Sequence, residues 1–403
     1  MKNVRYIFLI LIILVAFSGC TTPVVDPDEP DMDIDLVGFY PAENGHYSLV
    51  IVKSIEQEAS WEYIDSLLFI TLDTSGQEIE VHGIHFNQRP YIRNQYLTHD
   101  GNIMLFGNLS SESYSWYYST HVYTPAGNLV WGMNMADRTN GVAPALNGDL
   151  YVFGWEDTDD YYDDITYSRL SSSGDTLWNK RIPTSSYNTT IRSGTPTSDD
   201  GCLAIGNIYV EDRGSDILSA KIDQNGNMLW TGSYGGNRYD DAQFVTELSD
   251  GSILITGELN LYDSTNANWG LNSGQQIYLI KLSSEGEKLW TKAVGNTLRE
   301  MANTVIETDD GSLVICGTRD QSYTYLFDVT TGWVGKFSSD GEELWLREFE
   351  SKLPMSVHEL ANGDLYVVSQ NLRDDSWYYY DNNFDLMKFS SSGTLIWDKT
   401  LTP

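Results

Sequence analysis

Cysteine is nearly absent from this chain, with three in 403 residues, and positive charge is scarce, with 24 Lys and Arg against 57 Asp and Glu. No Cys-x-x-Cys pair, zinc spacing or run of histidines occurs, and the six His are scattered. Metal-centred catalysis therefore has no support in the sequence. Gly-x-Ser-x-Gly, His-Glu-x-x-His, a P-loop and a dinucleotide fingerprint are missing as well, which removes the enzyme classes those motifs mark. A formal charge of -33 makes nucleic acid an unsuitable partner, because so acidic a surface repels phosphates. Positive partners, divalent cations and neutral glycans stay open. Among 57 acids some pair always lies at a separation suited to glycoside hydrolysis, so no carboxylate can be nominated and no catalytic residue is assigned.

What the chain has in quantity is repetition. Gly-x-x-x-Trp occurs six times, at Gly127/Trp131, Gly174/Trp178, Gly226/Trp230, Gly286/Trp290, Gly341/Trp345 and Gly393/Trp397. An Asp-Gly or Asn-Gly dipeptide interleaves with it seven times, ending at Gly45, Gly101, Gly148, Gly201, Gly251, Gly311 and Gly363. The spacings of 56, 47, 53, 50, 60 and 52 residues fall in the range of propeller blades and vary too much for a tightly stacked solenoid. Each dipeptide precedes a short apolar run and is expected to make a two-residue type I′ hairpin.

The fifth copy reads most cleanly as strands over 243–248, 252–259, 277–283 and 288–294, with turns at Asp250-Gly251 and Glu285-Gly286. The second strand is apolar on both faces, as in a sheet covered on each side by neighbours. The expected fold is all-β, a seven-bladed β-propeller of four-stranded antiparallel blades over residues 34–403. The first copy starts with a strand at 35–40 and the last ends at 394–402, so no strand need be exchanged between the chain ends. Closure would rest on side-chain packing between the first and seventh blades. The first copy is the degenerate one, with Gly76 followed by Glu80 in place of Trp. The repeated Trp residues are assigned to packing between blades. The Lys or Arg that stands five residues before the repeat glycine in five copies (Arg169, Lys221, Lys281, Lys336, Lys388) is assigned a structural role, as an exposed strand charge or a partner for a neighbouring blade's carboxylate. Cys202 and Cys316, on second strands of alternate blades, are too far apart for a disulfide and read as small buried apolar residues.

At the N-terminus, Lys2 and Arg5 precede a short apolar stretch over 6–17, closed by Ser18-Gly19-Cys20. The stretch is a secretory signal rather than a spanning helix, and small residues directly before a cysteine resemble the lipobox of bacterial lipoproteins. The resemblance implies a signal peptide over 1–19, lipid attachment at Cys20 and a membrane partner through that anchor. Residues 20–33, rich in Pro and Asp, read as a solvated acidic tether. Thr21 stands where an Asp would resemble an inner-membrane retention signal, so the outer membrane of a bacterial envelope is favoured.

Function, if the repeat is scaffold, is grafted on the loops between second and third strands. Four stand out: 113–118, 156–164, 260–275 and 373–381. Their aromatics Trp116, Tyr117, Tyr118, Tyr161, Tyr162, Trp269, Trp377 and Tyr378 form the candidate binding face, because Trp and Tyr among carboxylates suit stacking on sugar rings or anchoring a peptide. No cofactor is implied. The Asp-rich loop offers oxygens of the kind Ca²⁺ takes but lacks the EF-hand spacing, so calcium is an option only.

The stretches 221–230, 234–242 and 250–257, with Tyr234-Gly235-Gly236 and Asp250-Gly251, resemble the bacterial β-propeller repeat of secreted and lipid-anchored proteins. The resemblance implies a propeller and no particular activity. The Gly-x-x-x-Trp element is also similar to repeats of quinoprotein dehydrogenases, whose adjacent cysteine pair is missing here. It is similar again to the propeller lipoprotein of the outer-membrane assembly machine, which has eight blades against seven here. The expected function is a non-enzymatic, lipid-anchored binding or interaction module, with a protein or glycan as ligand. The alternatives are a glycan-active hydrolase or lyase using loop-face carboxylates, and an outer-membrane assembly scaffold.

Overall fold

The computed structural model describes residues 32–57, 62–86, 88–109, 118–136, 138–156, 164–182, 189–211, 214–236, 240–260, 275–294, 300–320, 330–372 and 380–402. Its strands form seven separate four-stranded antiparallel sheets, each built from four consecutive strands. They span 32–86, 91–134, 139–182, 190–234, 241–294, 300–350 and 352–401, and are numbered blades 1 to 7 in that order. First strands of successive blades adjoin one another around the ring, so they line its axis. The protein is a seven-bladed β-propeller. In blade 5 the strands are Asp241–Glu247, Ile253–Asn260, Gln275–Leu282 and Lys288–Val294, within two residues of the expected bounds. The first strand of blade 1 is Met32–Pro41 and begins inside the segment read as tether.

The hairpins differ from expectation in turn type. In blade 5 the Gly251 N–H donates to Leu248 O at 2.8 Å and the Leu248 N–H to Ser252 O at 2.8 Å. Positive φ falls on Gly251 and not on Asp250. These are three-residue loops with one left-handed residue, a geometry that also suits the strand twist. Only blade 1, with Asn44 and Gly45 both at positive φ, carries the paired left-handed residues of a type I′ turn.

Every first strand carries one extra residue against its neighbour, a β-bulge at an equivalent place in all seven blades. The bulge pushes a first-strand carbonyl onto the second strand. At Gly317 the Met301 carbonyl oxygen lies 2.0 Å from where a Cβ would sit, which is why the apolar run ends in glycine.

The two repeated residues of Gly-x-x-x-Trp meet across the blade seam. Four of the repeat Trp lie over the turn glycine of the following blade, Trp178 over Gly226, Trp230 over Gly286, Trp290 over Gly341 and Trp345 over Gly393, whereas Met133 and not Trp131 stands over Gly174. The indole N–H of Trp230 donates to Ser284 O at 2.9 Å, and that of Trp178 to Gln224 O at 2.9 Å. The last pair closes the ring, since Trp397 of blade 7 lies over Gly76 of blade 1. A shared core joins Ile34, Leu49 and Ile70 to Tyr366, Val368 and Phe384, and Gln370 Nε2 donates to Ile34 O at 2.6 Å. Closure thus uses side chains and no exchanged strand, as the repeat phase implied.

The recurring Lys or Arg is not an exposed strand charge. Arg169, Lys221, Lys281 and Lys336 are all buried, and each meets acids of the hairpin turns: Arg169 with Asp149 and Asp200, Lys221 with Asp199, Lys281 with Asp250, Lys336 with Asp310. Asp200 and Glu247, the second partners of Arg169 and Lys221, belong to the next blade. Asp310 is held well below the usual carboxylate range, first by the Lys336 ammonium and then by the Thr308 hydroxyl. Its folded value lies under the unfolded one, so this stabilisation is complete above about pH 4 and is lost as pH falls further. Lys336→Met is expected to flatten the decline of Tm in acid melts. An unchanged decline would mean that the pair contributes nothing. Cys202 and Cys316 are free and buried, and burial pushes the Cys316 thiol up to about 12.

Candidate functional site

Antiparallel order divides the propeller into two faces. The joins from first to second and from third to fourth strand are tight turns on one face, and none of them carries a lysine or arginine. The joins from second to third strand, and from blade to blade, leave on the opposite face. Of the candidate residues, Trp116, Tyr117, Tyr161, Tyr162, Trp269, Trp377 and Tyr378 lie outside the described residues, as does Cys20. The strands flanking these positions all end on the one face, so the topology brings the loops to a common side.

Tyr118 is described, and it is not a bare stacking platform. Its ring packs at 5.2 Å on Phe106, the Arg93 guanidinium lies 5.5 Å over it, and Arg93 Nη1 donates to its hydroxyl at 3.4 Å. Just before the first strand of blade 3, Arg138 lies 4.6 Å over the indole of Trp155 in that blade. Both contacts are cation–π pairs that fix the guanidinium planes. In blade 4, Arg192 Nη1 bonds Asp241 of blade 5 at 2.9 Å.

Beneath this face lies a belt of buried carboxylates, Asp65, Asp164, Asp216, Asp240 and Glu300. Ser54 donates to Asp65 at 2.6 Å, Ser233 to Asp216 at 2.8 Å, the Gly236 N–H to Asp240 at 2.6 Å and Arg319 Nε to Glu300 at 2.6 Å, while Arg181 pairs with Asp164. Asp216 and Asp240 stand close together, with oxygens 2.6 and 2.4 Å from the point where a Cβ on Gly235 would sit. That explains the glycine: the pair of acids fills the space of its side chain. These acids tie strand ends together, and their burial keeps them away from a substrate at the surface. Among the described residues no group of three or more His, Cys, Asp or Glu could hold a metal ion.

Sequence reading missed Arg93, Arg138 and Trp155. Arg93 is a bulge residue, and nothing in an alternating strand pattern marks where a bulge falls. The buried acids had a usable signal, because Asp164 and Asp216 each stand five residues before a repeat cation, Arg169 and Lys221.

No protein-family model matches the chain, and no curated protein does. Solved structures do. The β-propeller domain of the Trilobed protease from Pyrococcus furiosus, described as having an open velcro topology, is 11% identical, with a TM-score of 0.51 over 92% of this chain and 98% of that one. An apocarotenoid oxygenase from Synechocystis is 9% identical, with a TM-score of 0.48 over 93% of this chain and 94% of that one. The first likeness shows the propeller fold and nothing of the activity.

Proposed function

We propose that this propeller is a non-enzymatic binding module of the bacterial envelope, held there by lipid on Cys20, with its loop face as the binding face. The observation that carries the reading is the unequal division of the two faces. One is a set of short, repeated, hydrogen-bonded turns, and the other receives every long connection and its Trp and Tyr residues. Scaffold repeats on one side and variable loops on the other is the arrangement by which propellers and barrels host binding. The chain enters the first blade at Met32 on the loop-face side, and residues 21–31 can span at most about 40 Å. An anchor at Cys20 would therefore keep the propeller close to the outer membrane.

The test is a binding screen of the purified protein against glycans and envelope extracts, with and without Ca²⁺, alongside fractionation of cells carrying Cys20→Ala. Recovery of a glycan or protein ligand, and release of the variant from the membrane fraction, are expected. A wild type that fractionates as soluble, or that recovers nothing under any condition, contradicts the reading. Turnover of a polysaccharide, abolished by one loop-face Asp or Glu change, would replace it with the hydrolase alternative.

A further inference from the structure

Scattered along the sequence, the six histidines His46, His82, His85, His99, His121 and His358 all fall in blades 1, 2 and 7. These blades adjoin one another with blade 1 in the middle, and blades 3 to 6 hold no histidine. Blade 1 also lacks both seam devices of the repeat, since Thr71 and Glu80 stand where the buried cation and the Trp recur elsewhere.

At the seam of blades 1 and 2, histidine takes over. His82 and Phe69 stand over the turn glycine Gly127 of blade 2, the place that Trp fills at five other seams. The Phe69 ring packs at 5.1 Å on Tyr123 of blade 2, whose hydroxyl shares a 2.9 Å hydrogen bond with His121 Nδ1. Among the described residues, the titratable groups facing His121 are Tyr123 on its own strand and Tyr40, Asp65, Glu80 and His82 across the seam, with Asp35 paired to Arg89 at the loop-face end. At the seam of blades 7 and 1, the half-buried His358 packs edge-on at 5.6 Å against Tyr47 of blade 1. From blade 7, Tyr366, Lys388 with its partner Asp364, and Lys399 face this seam, and from blade 1 Tyr47, Lys53, Asp73 and Glu78 do so. This seam has neither an exchanged strand nor a linking segment of chain to hold it.

Burial, with no charged partner to offset it, pushes the pKa of both His121 and His358 down. Their folded values lie under the unfolded one, so the stability they give is complete above about pH 6.5 and is lost as pH falls below it. Carboxylates such as Asp310 titrate lower, which leaves the range from about pH 6.5 to 5 to histidine.

From this placement we infer that blade 1 is an acid-sensitive element of the ring: protonation of His121 at one of its seams and His358 at the other loosens it from blades 2 and 7, while blades 3 to 6 stay packed.

Hydrogen exchange of the full chain at about pH 7.5 and about pH 5.5, corrected for the intrinsic effect of pH on exchange, reads the seams blade by blade. Exchange in the strands of blade 1 is expected to speed up about ten-fold or more at the lower pH, with blades 3 to 6 changing by less than about two-fold. His121→Gln combined with His358→Gln should hold blade 1 within about two-fold of its protection at the higher pH, because neither amide takes up a proton. His99→Gln, in an exposed turn, should respond to acid as the wild type does. NMR titration of the wild-type imidazoles needs no variant to fold, and His121 and His358 are expected to titrate below about pH 6.5. Uniform loosening of all seven blades, an unchanged blade 1, or a wild-type acid response in the folded double variant overturns the inference. Titration of both imidazoles at or above that value overturns it as well.

Discussion

Gly286→Ala is expected to cost about 3 kcal/mol, whereas Gly251→Ala is expected to cost about 1. Both glycines have positive φ, +82° and +79°, so both substitutions strain the backbone equally. They differ in what a Cβ would meet. At Gly286 it would lie 2.6 Å from Cδ2 of Trp230, and at Gly251 nothing stands within 4 Å. The difference between the two variants in urea unfolding isolates the seam contact, and Trp230→Ala combined with Gly286→Ala should cost less than the two singles summed. Equal costs for the two glycines would mean that the Trp does not seat on the turn of the next blade.

Arg319→Met is expected to lose more, about 3–5 kcal/mol, the usual result of removing one member of a buried ion pair. Glu300 is 0% exposed and Arg319 7%, and the guanidinium also pairs with the more exposed Glu348. Removing it leaves a carboxylate in the interior without the charge opposite it. Glu300→Gln in the same protein should recover a large part of the loss, because an amide needs no counter-charge. A cost under about 1 kcal/mol for the single change would show that Glu300 is protonated or otherwise satisfied in the fold.

The blade count and strand positions were legible in the sequence because they depend on residues that recur for one physical reason each. A turn needs a left-handed glycine, a seam needs a large ring above it, and a buried second strand needs Ile, Leu and Val on both faces. Leu254 and Ile255 are buried on opposite faces of one strand for that reason. The turn type was misread because Asp-Gly also serves a three-residue loop with a single left-handed residue, Gly251 in blade 5 and Asp200 in blade 4. The repeat cations were half read: spacing showed that Arg169 and Lys221 recur, yet only packing shows that they sit under the turns and face acids from two blades. The seven first-strand bulges were invisible. A bulge is fixed by the strand opposite and by the blade beside it, neither of which is local in sequence.

The most direct check on the binding role is a comparison of three proteins against the same envelope extract and glycan panel. One is the wild type, one carries Trp116→Ala, Tyr161→Ala and Trp377→Ala on loop-face connections, and one carries Asp175→Asn, Glu285→Gln and Asp340→Asn on exposed turns of the opposite face. The loop-face variant is expected to lose whatever the wild type recovers, while the turn-face variant keeps it. Loss in the turn-face variant with full binding in the loop-face variant would contradict the assignment of the two faces.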